Sequence, residues 1–573
     1  MKKPIVEFKD FGFIYKTQTE PTLKDINLTI YEGEKVLILG PSGSGKSTLA
    51  NCINGLNPFS YEGTITGSLK VAGIETKNAS IFAISKTVGT VLQDSDAQFV
   101  GLSVGEDIAF ALENDNVPRK EMIPKVQKAS EIVGMEDFLL HVPYELSGGQ
   151  KQKVALAGVI HDNVDILIFD EPLAALDPKT GMVAVDLIDR IHEENKKTIL
   201  IIEHRLEDVL YRKVDRIVLM NEGRIVFNDN PDKLLASNLL MKYGIREPLY
   251  IMALKYAGCK LREEQNLSDV YQLDLETFRE SLIRQQQLAL NKYEPKLGEE
   301  ILKIDSVSFS YDTKEVLSNI SFAIRKGEKV AVIGKNGAGK STIAKLICGI
   351  IRPNKGSITI NGQDYMKYSM KEIGEKIGYV MQNPNQMLVK DIILNEVQLA
   401  LLLRGKSQSE IKETVKRTLK MCGLYGMRNW PVTAVSYGQK KRITIAAMLV
   451  LQPDIIILDE PTAGQDYFHY TEIMNFLEDL NKQYGITIVF ITHDMHLAIE
   501  YTDRAIVFAE GKLIADDAVF RVLSNKEVIE KANLKQTSLF ELAKRLDIEP
   551  ELYIEHFIAY ERMMKEHEQS ITN

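Results

Sequence analysis

Cysteine is scarce in this chain. Its four cysteines (Cys52, Cys259, Cys348, Cys422) are widely scattered over 573 residues, with no C-x-x-C spacing. That excludes a local zinc or iron–sulfur motif and fits a reducing cytosol. Basic charge is not in excess either: 70 Lys and Arg face 79 Asp and Glu, a formal net charge of −9. This argues against a protein whose main task is to hold a nucleic-acid backbone. Long apolar runs are missing. No stretch approaches the ~18 apolar residues of a membrane helix, and Ile445 to Leu451 is stopped by Gln452-Pro453-Asp454. The opening Met1-Lys2-Lys3-Pro4 leads into a strand-like segment without a signal-peptide hydrophobic region. The expectation is a chain that does not itself span a membrane, so any membrane role needs partners. Hydrophobic content of 45% and charged content of 26% are ordinary for a globular protein. The length predicts about three or four domains.

What is present is a pair of glycine-rich loops. The first reads Gly40-Pro41-Ser42-Gly43-Ser44-Gly45-Lys46-Ser47-Thr48, the second Gly334-Lys335-Asn336-Gly337-Ala338-Gly339-Lys340-Ser341-Thr342. Both satisfy G-x-x-x-x-G-K-[ST], and each follows an apolar run (Val36 to Leu39, Val330 to Ile333) that reads as a buried strand. Average composition would produce the pattern by chance roughly 0.02 times in such a length; two occurrences in matching contexts are not coincidence. The glycines let successive backbone N–H groups turn onto phosphate oxygens at the positive end of the following helix. Lys46 and Lys340 reach the β- and γ-phosphates, and the Ser47 and Ser341 hydroxyls suit Mg²⁺. The chain is expected to bind two molecules of ATP.

The remainder is an internal duplication. Gln93 and Gln382, Ser147 and Ser436, Asp170 and Asp459, and His204 and His493 are each 289 residues apart, against 294 for the phosphate loops. The second copy is thus five residues shorter between its loop and Gln382, then keeps register. The expected organisation is a first α/β domain at 1–240, a helical linker at 241–297, a second domain at 298–530 and a helical tail at 531–573. Residues 246–297 hold eight basic and eight acidic side chains. Leu282 to Leu290, Leu249 to Ala257 and Ser538 to Met564 read as helical.

In each copy four apolar residues precede Asp-Glu: Ile166 to Phe169 before Asp170-Glu171, and Ile455 to Leu458 before Asp459-Glu460. A buried strand ending this way places both carboxylates beside the phosphates. The first suits Mg²⁺, and the second can act as general base on the attacking water. Two solvated acids at a strand end would be the plainer reading of the dipeptide alone; the phosphate loop upstream favours catalysis.

Leu146-Ser147-Gly148-Gly149-Gln150, 24 residues before Glu171 counted from Ser147, resembles the signature motif of the ATP-binding cassette (ABC) ATPases. That resemblance implies two tandem P-loop domains. Each would have a RecA-like α/β core, an antiparallel β subdomain and a helical subdomain carrying the signature. It implies a γ-phosphate role for Ser147, Gly149 and Gln150, and for Ser436, Gly438 and Gln439. Gln93 and Gln382 resemble the Q-loop glutamine, which touches Mg²⁺ and water. Ala175-Leu176-Asp177 and Gly464-Gln465-Asp466 resemble D-loops, and His204 and His493 the switch histidine. Tyr15 and Tyr311 resemble the aromatic that stacks on adenine, with a core tyrosine as the alternative. The family works head-to-tail, so the two cassettes are expected to pair within the chain.

The second signature departs from the pattern, with Tyr437 where the first has Gly148. In a head-to-tail pair, ATP on Lys340, Asp459, Glu460 and His493 would meet the intact motif. ATP on Lys46, Asp170, Glu171 and His204 would meet the altered one. Tyr437 adds bulk and limits access to positive φ. This leads to asymmetric turnover with the Lys340/Glu460 site faster, unless Tyr437 points outward and both sites hydrolyse.

Asp94-Ser95-Asp96-Ala97-Gln98-Phe99 resembles the segment by which energy-coupling-factor (ECF) ATPases dock a coupling helix of a membrane T component. The second copy has Asn383-Pro384-Asn385-Gln386, with the glutamine displaced by one. The resemblance covers both cassettes. It implies a fused, double ECF-type ATPase on the cytoplasmic face of a bacterial membrane. Its partners would be T- and S-type components, without nucleic acid, and its cargo a vitamin, vitamin precursor or metal ion. Two alternatives stand beside it. A tandem-cassette ATPase of a conventional sugar or nucleoside importer commonly degrades one catalytic carboxylate, and both are present here. A ribosome-acting factor would carry a strongly basic linker, unlike the balanced 246–297.

Overall fold

The computed structural model describes residues 3–92, 98–160, 164–174, 176–288, 298–462 and 465–572, the side chains of 566 and 568–572 excepted. Gln93, Asp94, Ser95, Asp96, Ala97, Ala175 and Gly464 therefore lie outside the described residues. The chain divides into one unit ending at Gln285 and another beginning at Gln286. Each is described by itself.

In the first unit the strands are β1 (Pro4–Tyr15), β2 (Leu23–Tyr31), β3 (Lys35–Leu39), β4 (Gly63–Val71), β5 (Ile74–Glu75), β6 (Val88–Val91), β7 (Ile166–Asp170), β8 (Thr198–Ile202), β9 (Arg216–Asn221) and β10 (Arg224–Asp229). They form an antiparallel sheet of order β2-β1-β4-β5 and a six-stranded sheet of order β10-β9-β3-β8-β7-β6. In the latter all pairings are parallel except β9 with β10. β3 and β8 are buried at every position, as expected of parallel strands covered on both faces.

The second unit repeats this with β11 (Glu300–Tyr311), β12 (Lys314–Arg325), β13 (Lys329–Gly334), β14 (Lys355–Ile360), β15 (Gln363–Asp364), β16 (Ile377–Val380), β17 (Ile455–Asp459), β18 (Thr487–Ile491), β19 (Arg504–Ala509) and β20 (Lys512–Ala518). The orders are β12-β11-β14-β15 and β16-β17-β18-β13-β19-β20. The apolar run of β17 serves two cores at once. Ile455 and Ile457 join the core shared with the antiparallel sheet. Ile456 and Leu458 join the core under the helical subdomain. Alternation of side chains along a strand makes an unbroken apolar run necessary there. Both units are P-loop α/β cores with an antiparallel β subdomain and a helical subdomain.

Beyond β10, helix Leu249–Tyr256 is anchored to the first unit by Leu249 N donating to Glu207 Oε2 at 2.9 Å. Ser268 N donates to Asp232 Oδ1 at 2.7 Å. Where a helix was expected at Leu282 to Leu290, one runs over Arg279–Gln286, and 289–297 lie outside the described residues. The tail forms two helices, Ser538–Arg545 and Pro550–Thr572. Asp547 at φ 60° interrupts it, and Pro550 suits the first position of the next helix, where its missing N–H is not needed. Among the described residues no helix is long and apolar enough to cross a membrane.

Candidate active site

Each phosphate loop joins a fully buried strand to a helix, Lys46–Ile53 or Lys340–Ile347, that starts at the loop lysine. Gly45 and Gly339 cap these helices at φ 99° and 102°, a region closed to most side chains. A Cβ on Gly40 would come within 2.4 Å of Met220 O, and one on Gly334 within 2.2 Å of Phe508 O. These two positions are glycine because the loop presses against the neighbouring strand end. Lys46 Nζ donates to Gly40 O (2.8 Å) and Pro41 O (2.9 Å). Lys340 Nζ does the same to Gly334 O (2.6 Å) and Lys335 O (3.0 Å). Each ammonium is thus held inside its own loop, facing the anion-binding N–H groups.

Behind each loop stand the carboxylates. Ser47 Oγ donates to Asp170 Oδ1 at 3.4 Å, and Ser341 Oγ to Asp459 Oδ2 at 3.3 Å. A hydroxyl beside a carboxylate fits Mg²⁺, which takes few protein oxygens and completes its shell with phosphate and water. Among the described residues no group of three or more His, Cys, Asp or Glu could hold a metal ion. Burial pushes the Asp170 carboxyl above the ordinary range, helped by the Glu171 charge. Burial does the same to Asp459, with Glu460 adding to it against the Tyr379 and Ser341 hydroxyls.

Glu171 and Glu460 both sit at positive φ, 50° and 44°, rare for a non-glycine residue and characteristic of functional sites. Their backbone N–H groups donate to Ile202 O (2.8 Å) and Ile491 O (2.9 Å), the ends of the strands that carry the histidines. His204 Nε2 lies 3.1 Å from Glu171 Oε1, and His493 Nδ1 lies 2.6 Å from Glu460 Oε1. Carboxylate, histidine, Mg²⁺-type pair and phosphate loop thus converge in each unit.

The other expected residues divide. Tyr15 Oη is 3.1 Å from Thr48 Oγ1, tied to the phosphate loop, and its ring packs edge-on to Phe13. Tyr311 is 43% exposed and edge-on to Phe309. In both signatures the serine and glutamine engage each other. Ser147 N donates to Gln150 Oε1 (2.9 Å) and Ser436 N to Gln439 Oε1 (2.9 Å), with the return bonds onto Ser147 Oγ and Ser436 Oγ. The N–H groups of the first helical turn, including those of Gly149 and Gly438, are the orphan donors an anion would use. A Cβ on Gly149 would meet Thr180 Cγ2 at 2.7 Å, whereas Gly438 has more room. Of the D-loops, Asp177 and Asp466 cap the next helices through their side chains.

Two expectations change. Tyr437 is not among the positive-φ residues; it is the first residue of helix Tyr437–Leu449, and its Oη donates to Gln382 O at 3.2 Å. It does not strain the backbone, and it is 41% exposed while its hydroxyl is held by the Gln382 carbonyl. Gln98, expected to dock a partner, turns inward: its Oε1 accepts from Leu92 N at 3.1 Å and its Nε2 donates to Thr90 O at 3.4 Å.

Three further residues belong to no sequence motif. Tyr379 Oη donates to Asp459 Oδ2 at 2.8 Å. Lys441, 1% exposed, donates to Met381 O at 3.1 Å. Glu203, buried before the first histidine, accepts from Leu173 N, His204 N and Arg205 N. The repeat register was the available signal, since Thr90, Gln152 and Thr492 stand at the matching positions.

Known proteins resemble this chain along nearly its whole length. The family described as "ABC transporter" matches residues 23–174 and 317–463. One described as "ATP-binding cassette cobalt transporter" matches 237–309. An ABC transporter ATP-binding protein of Clostridium perfringens is 58% identical over 98% of this chain and 99% of its own length. One from Enterococcus faecalis is 54% identical over 99% and 100%. The structure of cbiO1 from Clostridium perfringens, part of the ABC transporter complex cbiONQ, is 35% identical over 41% of this chain and 95% of its own, with a TM-score of 0.38. With two complete cassettes, each assembling its loop, carboxylates and histidine, the chain belongs to the ABC transporter family as a tandem-cassette ATP-binding protein, an ATPase.

Proposed function

We propose that this ATPase is the energy-coupling subunit of an ECF-type importer, driving uptake of a vitamin, vitamin precursor or metal ion. The observation that carries this reading is the match of residues 237–309 to a cobalt-transporter region, a stretch that covers the segment between the two cassettes and runs into β11. The intact Glu171 and Glu460, each beside its histidine, support two competent sites over a design with one degraded carboxylate.

In this reading Lys46 and Lys340 hold the β- and γ-phosphates, and the loop N–H groups bind the remaining oxygens. Ser47 with Asp170, and Ser341 with Asp459, would hold Mg²⁺, which would neutralise phosphate charge, with Gln93 and Gln382 as further candidate ligands. Glu171 and Glu460 take the proton of the attacking water, oriented by His204 and His493. Tyr15 and Tyr311 face the adenine. The cassettes pair head-to-tail within the chain, so each signature serves the other cassette's ATP.

The partners are membrane T- and S-type components at the cytoplasmic face. In the first unit Val100 and Leu102 are exposed, and the backbone bonds of Val104 and Gly105 to His141 O and Leu139 O bring exposed Leu140 close to them. Clustered exposed apolar side chains mark an interaction surface. Affinity purification from detergent-solubilised cells, with mass spectrometry of the co-purifying chains, tests the reading. A multi-span T-type protein with a small S-type protein is expected. Conventional permeases with a binding protein, or ribosomal proteins, would overturn it.

A further inference from the structure

In the second unit the loop following β16 is fastened by the signature helix. Tyr437 Oη donates to Gln382 O (3.2 Å), Lys440 Nζ to Asn385 Oδ1 (3.0 Å) and Lys441 Nζ to Met381 O (3.1 Å). Positions 437, 440 and 441 are three and four apart, one face of the helix. Two consecutive backbone carbonyls, those of Met381 and Gln382, are therefore gripped by one helix end.

The first signature helix differs in two of these three side chains. It carries Gly148 and Gln152 at the positions of Tyr437 and Lys441, and Gln152 Oε1 is shielded with no hydrogen-bond partner among the described residues. Among the described residues of the first unit's loop, Gln98 Oε1 accepts from Leu92 N. The residue matching Gln98 in the second unit is Met387, whose Sδ takes the corresponding bond from Met381 N at 3.2 Å. A thioether is a weak acceptor beside an amide oxygen. The second loop thus has a weak tie of its own and strong ties from the signature helix.

We propose that Tyr437 and Lys441 are positioning residues for Gln382, coupling the second signature to its own glutamine loop so that the two move as one body. A change at Gln382 on binding nucleotide then reaches Ser436 and Gly438 directly, through a tyrosine and a lysine that the first signature helix does not carry at the matching positions. That consequence rests on the role given above to Gln382; the tether itself does not.

Hydrogen exchange of the full-length chain, read by mass spectrometry, tests the tether without reference to hydrolysis. In Tyr437→Phe, which keeps the ring and removes the donor, exchange over residues 381–388 should rise about fivefold, the loss of one net hydrogen bond. Peptides spanning 98–112 should not change. Adding Met387→Gln, which restores the first unit's local tie, should return protection to the 381–388 segment. Unchanged exchange over 381–388 in Tyr437→Phe would overturn the proposal, as would a loss of protection spread over the whole second unit. The Mg²⁺ concentration for half-maximal ATPase separates the two claims. It should rise in both Gln382→Ala and Tyr437→Phe. No rise in Gln382→Ala would overturn the metal role of that glutamine and its nucleotide coupling, leaving the tether to the exchange result.

Discussion

The Tyr379 hydroxyl donates to Asp459 Oδ2 at 2.8 Å, the same oxygen that accepts from Ser341 Oγ at 3.3 Å. A phenol thus orients the carboxylate read as the Mg²⁺ ligand of the second site. In the first unit the matching Thr90 accepts from Asn54 Nδ2 instead. Burial beside Asp459 pushes the Tyr379 phenol far above its ordinary value, so it remains a donor at any working pH. Tyr379→Phe should raise the Mg²⁺ concentration for half-maximal ATPase by about tenfold or more, one net hydrogen bond to a charged acceptor. Thr90→Ala should leave it nearly unchanged. Equal behaviour of the two variants would remove the asymmetry.

Turnover should be unequal at the two sites. Losing a general base costs ~10²–10⁴ in rate at its own site. If the Lys340/Glu460 site is the faster, Glu460→Gln should lower steady-state ATPase more than about tenfold and Glu171→Gln less than about twofold. Equal losses would show that the sites contribute alike or turn over only together.

Lys441 supplies a pH signature. Burial pulls its ammonium down from 10.5 to about 8, against the opposing pull of Asp459 and Glu460. A lysine whose folded value is depressed contributes stability that is present above 10.5 and lost as pH falls through about 8. Between those limits the unfolded chain binds the extra proton, so stability rises with pH. The stability of the second unit relative to its Lys441→Met variant should therefore climb by about 3 kcal/mol across that window. Denaturation followed at matched pH values measures the difference; a flat one would mean that the lysine is solvated.

Glu203 accepts from three backbone N–H groups, those of Leu173, His204 and Arg205, at 3.1, 2.8 and 3.2 Å. It joins the segment after Glu171 to the one carrying the histidine. Glu203→Ala would leave buried donors unpaired, each costing about 1–3 kcal/mol. The expected outcome is a first unit that unfolds at lower denaturant while the second is unaffected. Glu203→Gln, which keeps an acceptor, should recover part of the loss. Proteolysis of the two units under increasing urea distinguishes them.

Much of the site was legible in the sequence because its parts are short and local. A phosphate loop is nine consecutive residues, the Asp-Glu pair terminates a strand of unbroken apolar character, and each histidine follows the next such strand. Strand order then brings β7 beside β8 and β17 beside β18, so Glu171 meets His204 and Glu460 meets His493. The duplication supplied a second reading of every motif. Helix ends were less legible: the tail breaks at Asp547 and Pro550, where local backbone geometry outweighed the apolar periodicity on either side.

Motif and spacing by themselves determined that this chain has two nucleotide-binding cassettes, each with a carboxylate pair and a histidine. Only the tertiary structure decided where Tyr437, Lys441, Tyr379 and Gln98 point. The first three reach across 55, 60 and 80 residues of chain to Gln382, Met381 and Asp459, and no local pattern encodes those meetings. Gln98 bonds within its own loop, yet a polar residue on a loop reads the same whether its amide faces water or the backbone beside it. The physical reason is common to all four: hydrogen-bond partners are chosen by packing, which brings together groups that the sequence holds apart.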